Sequence, residues 1–215
     1  HTPSMLIMDL KGECSVVSRD QTPDRKFCHY WNPQRLHGIR GDSINQFDHI
    51  RKDSRTPISD TKGFVENALP DSGSPQGRFF EGRAKEIVEA LSITITHRDG
   101  VLTYPALYRA INLLVMGGDD WLDFAFEMQE TDIEFVQRIE QEIAAARDDS
   151  SGGFKGILGE ITRAFACLSD PDLMASVSPP FTASLAQMCE SDQTYQFYLM
   201  PPGDMVEAWA PVLKS

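Results

Sequence analysis

The residue with the clearest chemical placement is Asp9, which ends the unbroken apolar run Met5-Leu6-Ile7-Met8. Turn-forming residues flank that run, Pro3-Ser4 before it and Lys11-Gly12 after. A continuous apolar run of this length predicts a strand of a parallel sheet covered on both faces. Such a strand delivers its last carboxylate to the carboxyl edge of the sheet, where ligands bind and where an acid can hold magnesium or orient a water. The same position also suits an ordinary turn residue. A nucleotide needs a phosphate cradle as well, and the pattern G-x-x-x-x-G-K-[ST] is absent. Gly152-Gly153-Phe154-Lys155-Gly156 has glycines and a lysine, but in the wrong order and with no strand before them. A self-contained ATPase is therefore not expected. No G-x-S-x-G elbow marks a nucleophile. Cys14, Cys28, Cys167 and Cys189 form no C-x-x-C pair and meet no histidine spacing suited to zinc, so no metal site is expected and they read as reduced thiols.

A second constellation is acidic. Between positions 119 and 149 stand Asp119, Asp120, Asp123, Glu127, Glu130, Asp132, Glu134, Glu140, Glu142, Asp148 and Asp149, against only Arg138 and Arg147. Asp120, Asp123 and Glu127 follow three- and four-residue steps, which on a helix puts them on one face. Like charges so placed repel, so helix stability gives little reason for them. Two readings stay open: a solvated face whose first acids are favoured by the helix dipole, or a docking surface for cationic protein segments. Trp121, Phe124 and Phe126 sit among the acids, suited to anchoring a partner or to packing a core.

The elements that must position these residues follow from periodicity. Strand, then helices, then strand is the expected order. A second strand is expected at Phe27 to Trp31, stopped by Asn32-Pro33, with one or two helical turns at Cys14 to Arg19 between the strands. Positions 34–55 are polar and irregular, and Gly-Ser-Pro-Gln-Gly at 73–77 is a break. Phe80, Ala84, Ile87, Val88, Leu91 and Ile95 recur at helical spacing up to His97. Thr103 is placed to cap the next helix, Asp119 a short third one, and Thr131 with Glu134 a fourth through a capping box. A fifth helix carries Ile157, Leu158, Ile161, Phe165 and Leu168. Five amphipathic helices with short connections predict a bundle. Tyr195 to Met200 has the aromatic makeup of a strand, and a helix is expected from Met205 to Leu213.

The 215 residues carry a net charge of −12, which opposes broad sequence-independent binding of DNA and favours basic partners. No apolar run is long enough to span a membrane, and the first residues lack the pattern of a signal peptide.

Several segments together carry a family likeness. Met5-Leu6-Ile7-Met8-Asp9-Leu10-Lys11-Gly12-Glu13 resembles the strand and turn of the TraG/TraD-type coupling proteins of type IV secretion and conjugation. Tyr30-Trp31-Asn32-Pro33 is similar to that family's aromatic-Asn-Pro segment. Gly82-Arg83-Ala84-Lys85-Glu86 and Gln196-Phe197-Tyr198-Leu199-Met200-Pro201-Pro202 continue the likeness in order along nearly the whole chain. The resemblance implies a mainly α fold, a helical bundle inserted between a few strands of a RecA-like α/β motor domain. Positions 1–53 and 179–215 would be remnants of that nucleotide-binding domain, and 54–178 an all-α substrate-recognition domain.

The family implies a parent that is a homohexameric ATPase at the cytoplasmic face of the bacterial inner membrane, using ATP and magnesium. It would deliver relaxase–DNA complexes or effector proteins to a secretion channel. The phosphate loop would lie before His1 and the magnesium-holding acid after Ser215, so this segment would hold no cofactor alone. Asp9 and Lys11 would line the nucleotide edge, and Glu13 would orient the attacking water in the intact motor. Asp119, Asp120, Asp123, Glu127, Glu130 and Trp121 would meet partners, namely basic export signals and relaxosome components. Outside the family, the residues also admit a small nucleotide-binding enzyme built on Asp9, or a helical scaffold for protein interaction.

Overall fold

The computed structural model describes residues 4–21, 27–69, 75–147 and 152–215. They divide into two compact units, one made of His1–Asp48 with Cys167–Ala210 and the other of His49–Ala166 with Pro211–Ser215.

The first unit is built on a three-stranded sheet. Its strands are β1 (Met5–Met8), β2 (Cys28–Trp31) and β3 (Gln196–Leu199), in the order β1-β3-β2. Both pairings are parallel, with Met5 and Cys28 level with Gln196, and Met8 and Trp31 level with Leu199. The first and last of these strands are therefore direct neighbours, in keeping with the resemblance that puts both ends of the chain in one motor domain. Helix α1 (Glu13–Gln21) joins β1 to β2. Short helices α8 (Pro171–Ser176) and α9 (Leu185–Glu190) lead back to β3. Tyr30 stacks on Tyr198 at 5.2 Å, and Trp31 meets Trp209 edge-on at 6.2 Å. Burial, then the neighbouring Cys28, pushes the Tyr30 hydroxyl up to about 12.

The expectation that β1 is covered on both faces is overturned. Met5, Leu6 and Met8 are exposed, Leu6 at 68 %. Leu6 and Met8 share the face of β1 that lies open, while Ile7 on the other face packs against Ile39, Tyr198 and Met200; β1 is also an edge strand, with nothing among the described residues paired to its outer side.

The second unit is helical: α2 (Pro57–Ala68), α3 (Pro75–Asp99), α4 (Tyr104–Met116), α5 (Asp119–Gln129), α6 (Glu134–Arg147) and α7 (Gly153–Ala164). α3 holds the β-branched run Ile93-Thr94-Ile95-Thr96 as helix, with its hydroxyls buried. Ser92, Thr94 and Thr96 donate to the carbonyls of Val88, Ala90 and Ser92 at 2.8–2.9 Å, so the core keeps no bare hydroxyl there. Thr103 caps α4, its hydroxyl accepting from the Ala106 amide, and Gly117 ends that helix at φ +69°. α2 was not foreseen. Its start carries Pro57 in the first turn and its buried side is Thr61, Phe64, Val65 and Ala68, a helical spacing.

Three local expectations need correction. Gly118, not Asp119, is the N-cap of α5, and no side chain caps it. Thr131 does not close a capping box: its hydroxyl accepts from Ile133, and its own amide is already bonded to Met128. The stretch after Gly203 is mostly turn, with helix only in α10 (Ala210–Leu213).

Candidate functional site

In the first unit the Asp-Leu-Lys-Gly-Glu segment forms a tight strand-to-helix turn. The Asp9 amide continues the ladder by donating to the Leu199 carbonyl at 2.8 Å. Asp9 is 5 % exposed, and the Ser15 amide and hydroxyl both donate to its Oδ2 at 2.7 Å. Asp9 thus locks the first turn of α1 to the end of β1. Gly12 sits at φ +71°, and a Cβ there would lie 2.6 Å from the His37 ring. That ring donates through Nε2 to the Lys11 carbonyl at 2.6 Å. Lys11 and Glu13 are exposed, and Glu13 is the first residue of α1 rather than part of a strand.

These side chains stand at the carboxyl edge of a parallel sheet, but they do not cradle a triphosphate. Oδ2 of Asp9 is engaged by Ser15, and among the described residues no group of three His, Cys, Asp or Glu side chains comes together to hold a metal ion.

Beyond the end of β2 lies a polar cavity of about 300 Å³, lined by Asn32, Arg35, Arg40, Asp42, Ser43 and Thr182 among others. Asn32 shapes it: its amide nitrogen donates to the carbonyls of Leu36 and Ile39, and its oxygen accepts from the Leu36 amide. Gly41 passes so close that a Cβ would meet the Asn32 carbonyl oxygen at 2.7 Å. Burial pushes the Asp42 carboxyl up, but hydrogen bonds from His29, the Tyr30 amide and Thr182 outweigh it and hold the group below its ordinary value. Sequence reasoning passed over this segment because its residues are spaced for turns, with no period to read.

In the second unit the acids divide into those already in use and those that are not. Arg98 donates to Glu127 at 2.8 Å and to both oxygens of Asp99; the Asp99 bonds above all raise its pKa. Arg83 and Arg138 both donate to Glu142, and Gln129 donates to Glu140. Asp119, Asp120, Asp123 and Glu130 are exposed, and no basic side chain among the described residues pairs with them. Asp148 and Asp149 lie outside the described residues. Trp121 is 3 % exposed and stacks on Phe124 at 5.9 Å, with the Arg147 guanidinium 5.1 Å above it. Its ring serves the core, the second of the two uses open to it from sequence. Desolvation lowers the pKa of Arg147, which donates to the Leu114 carbonyl. No helix among the described residues is long and apolar enough to cross a membrane.

The family model for type IV secretory system conjugative DNA transfer matches residues 1–205. Among solved structures, the plasmid coupling protein TrwB, in complex with ADP and Mg2+, aligns with 99 % of this chain at a TM-score of 0.60 and 15 % identity. The alignment takes in 43 % of the TrwB chain, so this chain spans under half of that relative's length. No curated protein matches. At that identity the TrwB likeness speaks for the fold, and the family rests on the model that runs along nearly the whole sequence. With its parallel pairing of the first and last strands and its intervening helices, the chain belongs to the conjugative DNA transfer family of type IV secretion, of the TraG/TraD coupling type.

Proposed function

We propose that this chain is the substrate-recruiting part of a type IV coupling ATPase. The sheet unit is the remnant of the motor's nucleotide-binding domain, and the helical unit reads the cargo. The observation that carries this reading is the parallel register of residues 5–8 with 196–199, across a helical stretch of more than a hundred residues, in a member of the conjugative transfer family. A motor sheet with a module spliced into it has this form.

The bare edge of β1 supports the same reading. Exposed Met5, Leu6 and Met8 beside an unpaired strand edge are costly in water and prone to mispairing. A further strand of the parent motor would pair with the edge, and a helix packed on the open face would cover the side chains. The two parts are proposed to follow the compact units, which divide at 48/49, 166/167 and 210/211. Residues 49–53 bond to the α3–α4 turn, through Leu102 to Ile50 and Lys52 to Gly100, while Ser43 and Asp48 hold Ser178, Thr182 and Ser184.

In the intact motor, ATP and magnesium would be held by parts of the parent beyond this chain, as the ADP and Mg2+ of TrwB suggest. Asp9 then sets the turn from which Lys11 and Glu13 face the nucleotide, with Glu13 orienting water. The unpaired acids of α5 receive basic export signals of relaxase or effector proteins, at the cytoplasmic face of the inner membrane. The test is charge reversal of Asp120 and Asp123 to lysine in the full-length protein. Cargo transfer should fall while ATP hydrolysis stays at the unmodified level; transfer at full frequency would remove the acids from recruitment.

A further inference from the structure

The outward face of α5 is not only acidic. Leu122 is 55 % exposed and Phe126 is 71 % exposed, four residues apart and so one above the other on the helix. The helix already seats Trp121, Phe124, Ala125 and Met128 in the core on its opposite face. Nothing in the fold's own packing calls for two more large apolar side chains in solvent. Beside them runs a row of carboxylates: Asp119 and Asp123 are four apart, and Glu130 is seven beyond Asp123. The dipole explains Asp119 and Asp120 in the first turn, but not Asp123 in the middle. It disfavours Glu130, which caps the C-terminal end. Two adjacent rows, one apolar and one anionic, thus share a face with no use inside the unit.

We propose that this face docks a cationic amphipathic segment of a partner protein. Leu122 and Phe126 take its apolar row, and Asp119, Asp123 and Glu130 take its arginine or lysine row. The inference rests on the recruitment reading above and narrows it: cargo is chosen by apolar spacing as well as by positive charge. Charge selects the occupant. A second copy of this chain, at −12, would bring its own acids against these, whereas a basic segment neutralises them. The apolar row gives such a complex a part that salt does not screen.

The experiment uses the 215-residue chain and three fluorescent peptides of about 20 residues. One has an arginine row beside a leucine row, one has each leucine replaced by serine, and one has each arginine replaced by glutamine. Fluorescence anisotropy is read at low and high salt, with the wild type, the Leu122→Ser/Phe126→Ser double variant, and Asp123→Lys. Both positions of the double variant are exposed, and an unchanged far-ultraviolet circular dichroism spectrum checks the fold. The full amphipathic peptide should bind the wild type about tenfold or more tightly than either control, and the double variant should lose about tenfold. Asp123→Lys should weaken binding mainly at low salt. If the serine peptide binds as well as the leucine one, or the double variant binds like wild type, the apolar row is idle; this inference falls and electrostatic recruitment stands. If no basic peptide binds at any salt, both fall. If the wild type dimerises through Leu122 and Phe126 in sedimentation, the occupant is a second copy and the proposal is wrong.

Discussion

Replacing Asp9 tests whether the acid at the end of β1 is a brace. Its Oδ2 receives both the amide and the hydroxyl of Ser15, a fully buried residue. A hydrogen bond to an ionised acceptor contributes roughly 1.5–3 kcal/mol, and a buried donor left without a partner costs about 1–3 kcal/mol. The two bonds converge on one oxygen, so they are not additive, and Asp9→Ala is expected to cost the sheet unit about 3 kcal/mol. Asp9→Asn keeps an acceptor but loses the charge, and about 1 kcal/mol is expected. Trp31 and Trp209 both lie in the sheet unit, while Trp121 lies in the helical one. Urea unfolding followed by tryptophan fluorescence in a Trp121→Phe background therefore reports the sheet unit alone. With an m-value of about 2 kcal/mol/M, the alanine variant's midpoint should fall by about 1.5 M. A loss below about 0.5 kcal/mol, or an asparagine variant as unstable as the alanine one, would refute the brace.

Further outcomes follow from the same geometry. Gly12→Ala should destabilise by about 1–3 kcal/mol, because φ is +71° and the new Cβ would meet the His37 ring. Gly63→Ala, on the open side of α2, should stabilise by about 0.5–1 kcal/mol, and urea midpoints of the pair make the contrast. Asp42 is held below its ordinary value, so the folded state binds fewer protons there than the unfolded chain. Its contribution is complete above the ordinary carboxylate pKa of about 4 and is lost as pH falls through the lower folded value. Asp42→Asn should therefore flatten the loss of stability below about pH 4, read by acid titration of unfolding midpoints. Arg147→Ala should cost the helical unit about 1–3 kcal/mol, seen through Trp121 fluorescence, since the guanidinium stacks on Trp121 and bonds the Leu114 carbonyl.

The helices were legible because their cores repeat at helical spacing. Ala84, Ile87, Val88, Leu91 and Ile95 all lie buried on α3 as the period requires, and Thr103 and Gly117 mark the ends of α4. The pairing of β1 with β3 was legible through motif order, since no local signal joins residues 191 positions apart in register. The exposure of β1 was not legible: an apolar run speaks of burial, but only the fold says whether a layer covers each face, and the face of Leu6 and Met8 is open. α2 was hidden because threonine and alanine form half of its buried side and contribute little to an apolar count. The Asp42 network was hidden because its partners, His29 and Thr182, are distant in sequence and joined only by folding. Among the acids, charge density was readable, and so was the i,i+4 pair of Arg138 with Glu142, but the pairing of Glu127 with Arg98 and of Glu142 with Arg83 was not, since both of those arginines lie on α3.

The most direct measurement exchanges residues 49–166 between two full-length coupling proteins that transfer different cargoes. Cargo identity should follow the helical unit, each chimaera transferring what the donor of that unit transfers, with ATP hydrolysis following the motor. Cargo identity that stayed with the motor would contradict the account.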